Sequence, residues 1–84
     1  DSTQMEAHIQ RKYQNLEAGL KQLKEIQQQF VDPNQKDIHS LYQLITVRYG
    51  IAMTRALKEW ANDSLKLMKE IRQCEEFEKE TVSL

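Results

Sequence analysis

The sequence holds two imidazoles, His8 and His39, and one thiol, Cys74. A metal site in helical sequence needs such residues at spacings that share one face, as in Cys-x-x-Cys, His-x-x-x-His or Glu-x-x-His. None of these spacings occurs. His8 and His39 fall on different predicted helices and read as surface or boundary residues. Cys74 stands beside Glu75 and Glu76, a setting that disfavours a thiolate, so it reads as a buried seam residue. The acidic residues come in solvent-type runs, and no Gly-rich loop is present to cradle a phosphate. These residues predict no enzyme, no metal and no cofactor. The stretch from Tyr42 to Trp60 carries Tyr42, Tyr49 and Trp60 on a long apolar segment. Its plain reading is core and subunit interface. The alternative is a sensor in which a small apolar effector binds among Tyr49, Met53 and Trp60.

The elements that must position these residues are few. Eighty-four residues and 10.0 kDa make one small domain, with a core that is marginal unless something else supports it. Two Gly and one Pro are too few for a succession of short strands, and Gln, Glu, Lys and Leu favour helix. A net charge of −1 gives no overall pull toward nucleic acid or anionic lipid. One Cys suits a reducing compartment, hence the cytoplasm, and no apolar run approaches the roughly 20 residues of a membrane span. The opening Asp1-Ser2-Thr3 suggests a piece of a longer protein.

The fold class expected is all-α: a long antiparallel helical hairpin that dimerises into a coiled-coil or helix-bundle assembly. Helix one is expected over about residues 3–30, a turn over 31–36 and helix two over about 37–78. In the turn, Asp32 is the expected N-cap, with Pro33 at the first helical position and Gln35 completing a capping-box spacing. In helix one, Ile9, Tyr13, Leu16, Leu20, Leu23, Gln27 and Phe30 form a heptad seam. In helix two, Met53, Leu57, Trp60, Ser64, Leu67, Ile71 and Cys74 form a second, with Ala56, Ala61, Leu65 and Met68 in a parallel stripe. Folding about Asp32 and Pro33 sets Leu23 against Leu41 or Tyr42, Leu20 against Ile45, Leu16 against Tyr49, Tyr13 against Met53, Ile9 against Leu57 and Met5 near Trp60. Helix two then overhangs, leaving Leu65, Leu67, Met68, Ile71, Cys74 and Phe77 without partners, which calls for a second subunit. The dimer interface expected from this register is Tyr49, Met53, Leu57, Trp60, Leu65, Leu67, Met68, Ile71 and Cys74. Gly50 and Gly19 are expected to mark close helix packing.

Tyr42-Gln43-Leu44-Ile45-Thr46-Val47-Arg48-Tyr49-Gly50-Ile51-Ala52-Met53, followed by Ala56-Leu57-Lys58-Glu59-Trp60-Ala61, resembles the C-terminal helix of PadR-type transcriptional regulators. The branch it is most similar to contains the virulence activator AphA. Tyr13-Gln14-Asn15-Leu16-Glu17-Ala18-Gly19-Leu20 resembles the charged helix that precedes it in that family. The likeness spans roughly residues 5–72, and its specific part is Arg48-Tyr49-Gly50 with Glu59-Trp60. The resemblance implies a homodimeric, antiparallel coiled-coil domain. In such regulators DNA is read by an N-terminal winged helix, which is absent from this sequence. The rival reading is a stand-alone coiled-coil adaptor.

Overall fold

A computed structural model describes residues 2–30 and 37–82, which form two α-helices and no strand: α1 (Ser2–Gln29) and α2 (Ile38–Val82). Both helices follow from heptad patterning without internal breakers, and α2 continues through Gly50 with no positive φ. Thr54 Oγ1 donates to the Gly50 carbonyl at 2.7 Å, supporting the ladder where glycine weakens it. The residues expected to form the turn and cap, Asp32, Pro33 and Gln35, lie outside the described residues. Within them, the cap of α2 is Asp37. Its Oδ1 accepts from the Ser40 amide at 2.7 Å, and its carbonyl accepts from the Leu41 amide at 3.1 Å. That bond from Ser40 is the main reason the Asp37 carboxyl titrates below the ordinary 3.8.

The helices lie side by side as a rod of 72 × 15 × 14 Å with a radius of gyration of 20.0 Å. A compact chain of this length would have a radius of about 12 Å. The core is correspondingly one residue deep. From α1 it takes Ile9 and Leu20, with Tyr13, Leu16, Leu23, Gln27 and Phe30 half-buried beside them. This is the heptad seam expected for the first helix. From α2 it takes Val47, Ile51, Ala61 and Met68, with Leu44, Thr54, Lys58 and Leu65 half-buried. Alternate steps of four and three link these residues into one seam. Two clusters divide it. Ile9, Ala61 and Met68 pack with Tyr13 and Leu65, and Leu20, Val47 and Ile51 pack with Leu23 and Phe30.

The seam of α2 is therefore not the one expected from sequence. Met53, Leu57, Trp60, Leu67, Ile71 and Cys74 are exposed, and the hairpin uses the neighbouring stripe through Ala61, Leu65 and Met68. The small residues explain the choice. Ala61 is fully buried and Gly50 takes the Leu23 side chain, with a Cβ position only 3.3 Å from Leu23 Cδ1. Small positions on α2 thus receive large side chains from α1, which brings the axes close and fills the space between them.

The register also differs, by one heptad. Gly50 faces Leu23 rather than Leu16, and Trp60 lies beside Lys12 rather than Met5, with the Lys12 ammonium 5.8 Å from its ring centroid. A shift of one heptad keeps every face pointing the same way, so periodicity alone does not distinguish the two registers. Polar contacts at the far end do. Arg72 donates to Glu6 Oε1 at 2.8 Å, and Ser2 Oγ donates to Glu75 Oε2 at 2.8 Å. Helix α1 consequently reaches Glu75, and the long overhang expected of α2 shrinks to its last turns. Leu65 and Met68, expected to await a partner subunit, are packed inside the hairpin. Leu41 and Tyr42, expected against Leu23, are exposed.

Candidate interaction face

A helix of this hairpin needs one apolar stripe, and α2 has two. Ile51 and Trp60 stand nine positions apart on one helix, about two and a half turns, and so point in opposite directions. Ile51 is 6% exposed and Trp60 49%. Around Trp60 the second stripe runs the length of α2: Ile38, Tyr42, Ile45, Tyr49, Met53, Leu57, Leu67, Ile71 and Phe77 are all exposed. Tyr49, at 67%, has most of its ring in solvent. Helix α1 adds only Met5 and Ile26 to the exposed large apolar residues. Isolated exposed apolar residues are ordinary, whereas a contiguous stripe marks an interaction surface.

Of the nine interface residues expected from sequence, Tyr49, Met53, Leu57, Trp60, Leu67, Ile71 and Cys74 lie on this open face or its edge, and Leu65 and Met68 do not. Of the two glycines, Gly50 sits at a tight contact, against a leucine side chain rather than a second glycine. Gly19 does not: a Cβ there meets nothing within 4 Å. Cys74 is exposed in the hairpin, as expected of a residue left without a partner inside the chain. His8 and His39 are exposed as expected, and His39 Nε2 lies 3.3 Å from Gln43 Nε2. Among the described residues no three His, Cys, Asp or Glu are grouped to hold a metal ion, and no helix is long and apolar enough to cross a membrane.

Sequence reasoning missed the N-terminal part of the open stripe. Tyr42 and Ile45 were set against α1 and Ile38 was given no role, although steps of three and four back from Trp60 through Leu57, Met53 and Tyr49 reach all three. It also missed Lys58, which occupies a seam position. Its ammonium is 5.4 Å from the Tyr13 ring centroid and 3.6 Å from Glu17 Oε1. A lysine there lays its methylenes on the core and keeps its charge at the rim. Beside it, on the flank away from Trp60, a groove of about 480 Å³ is lined by Tyr13, Leu20, Lys24, Arg55, Lys58, Glu59 and Asn62.

Residues 1–69 match the family described as virulence activator alpha, C-terminal. The chain belongs to that family. No curated protein and no solved structure matches it. Within this virulence-activator domain, the short segment Tyr49-Gly50-Ile51 serves both faces of α2 at once. Gly50 and Ile51 close the hairpin against Leu23 and Leu20, while Tyr49 turns outward. Trp60 continues the outward face and Ala61 the inward one. Adjacent residues that face opposite ways leave α2 apolar on two sides.

Proposed function

We propose that this chain is the dimerisation domain of a PadR-like bacterial transcriptional regulator, working in the cytoplasm. Two copies pair through α2 and hold two winged-helix heads, outside these residues, at a fixed spacing that sets the distance between DNA half-sites. The domain acts as an assembly module and carries no catalytic step, and its link to DNA runs only through those heads.

The open stripe on α2 carries this reading. The accessible surface is 7033 Å², whereas a compact monomer of this mass exposes about 5,200 Å². The excess is larger than the roughly 800 Å² each partner contributes to a stable interface. Charge supports an antiparallel arrangement. From Ile38 to Lys58, α2 carries Arg48, Arg55 and Lys58 and no acid, while from Glu59 to Glu80 seven acids face four bases. Antiparallel copies set the basic half of one helix beside the acidic half of the other; parallel copies align like with like.

Light scattering after size exclusion tests the proposal, with twice 10.0 kDa expected at micromolar concentration. Tyr49→Asp and Leu67→Asp should give helical monomers, because both side chains are open in the hairpin. Ile51→Asp should unfold it, because Ile51 is core. A wild-type chain that runs as a stable monomer refutes the reading.

A further inference from the structure

We propose that the groove between α1 and α2 on the Lys24–Arg55 flank is an effector site for an aliphatic carboxylate of medium chain length. The site lies within one hairpin and does not depend on pairing. Its walls come from both helices: Tyr13, Leu20 and Lys24 from α1, and Arg55, Lys58, Glu59 and Asn62 from α2. An adjoining groove of about 330 Å³ continues it along Gln27, Arg48, Ile51, Ala52 and Arg55. Arg55 borders both.

The charges set the ligand's head. Lys58 is engaged by Glu17 at 3.6 Å, but among the described residues Lys24, Arg48 and Arg55 are in no ion pair. Three such cations, from two helices, outnumber the one carboxylate on the same walls, Glu59, so the rim favours an anion. The floor sets the rest of the molecule. Leu20, Ile51 and Ala52 are aliphatic, and Tyr13 adds a ring edge. A small inorganic anion is disfavoured here. The cleft lies mid-helix, where backbone amides are already bonded within their helices, so only solvated side chains could hold it. Each such pair contributes roughly 1 kcal/mol or less. An aliphatic body adds about 0.8 kcal/mol for each CH₂ it buries, and so lifts binding to useful affinity. Arg48 and Arg55 are two turns apart, about 10 Å along the axis, a span that an extended chain of eight to ten carbons roughly fills. A volume of about 480 Å³ is ample for such a ligand. The carboxylate then sits between Lys24 and Arg55, and the chain lies over the aliphatic floor.

The test is an amide chemical-shift titration of this chain with decanoate below its aggregation concentration, with 1-decanol as the neutral control. Shifts should centre on Leu20, Lys24, Ile51, Ala52 and Arg55. Arg55→Gln and Lys24→Gln should each raise the dissociation constant at least fivefold, and decanol should bind at least tenfold more weakly. Equal binding of the alcohol, or shifts centred on Tyr49, Met53 and Trp60, would mean that the ligand merely coats the open stripe, and the proposal fails. It fails equally if decanoate does not bind, or if the two substitutions dissociate the dimer while leaving decanoate affinity unchanged, since those cations would then belong to the subunit contact.

Discussion

The two glycines provide a sharp test of the packing, because helix propensity treats them alike and the structure does not. In a helix interior, alanine is favoured over glycine by about 1 kcal/mol. At Gly19 an added Cβ meets nothing within 4 Å, so Gly19→Ala should keep that full gain. At Gly50 the same Cβ stands 3.3 Å from Leu23 Cδ1 and 3.4 Å from Cδ2. These are the ends of a flexible side chain, which must move by a few tenths of an ångström. Gly50→Ala should therefore return most of its propensity gain as repacking cost and fall near zero. Gly50→Leu leaves no such room and should lose about 1–3 kcal/mol to overpacking. For a chain of this size 1 kcal/mol corresponds to about 4–8 °C in Tm. The expected order is Gly19→Ala above wild type, Gly50→Ala close to wild type and Gly50→Leu several degrees below. Circular dichroism melts at matched protein concentration, backed by urea titration, measure it. A Gly50→Ala variant that gains as much as Gly19→Ala would show that Leu23 does not occupy the Gly50 position, and the register argued from it would fall. A destabilised Gly19→Ala would place Gly19 against something other than solvent.

Trp60 should report association rather than folding, because half of its surface is open in the hairpin. Diluting the wild-type chain should shift its emission to the red with little loss of helicity, and Trp60→Ala should weaken pairing at least tenfold while costing the hairpin less than the roughly 3–5 kcal/mol of a fully buried aromatic; emission independent of concentration would count against this. Asp37 predicts a pH effect of definite sign. Its carboxyl is held below the ordinary 3.8 mainly by the Ser40 amide, so the stability it adds is complete above that value and is lost as pH falls through the lower folded pKa. Asp37→Asn keeps a capping oxygen but does not titrate, so the wild-type advantage over it should shrink in acid, and an advantage that grew in acid would contradict the cap.

Much of this architecture is legible in the chain itself. Sparse Gly and Pro with sustained heptads dictate two long helices, and the α1 seam from Ile9 to Phe30 can be read directly, because that helix has only one apolar stripe. The surplus apolar surface of α2 is also a property of sequence. Which of its two stripes faces α1 is not. Periodicity finds both and ranks neither. The decision rests on small residues meeting large ones, Gly50 under Leu23 and Ala61 beside Ile9, a matter of shape across the interface. The one-heptad register is hidden for a related reason, since a seven-residue slip leaves every face in place. Contacts between the helices, Gly50 with Leu23, Glu6 with Arg72 and Ser2 with Glu75, tell the alignments apart. The chain alone thus determined that α2 carries apolar residues on two sides. Tertiary structure decided which side closes the hairpin and which is left open, because that choice depends on complementarity between residues far apart in sequence, Leu23 with Gly50 and Ile9 with Ala61.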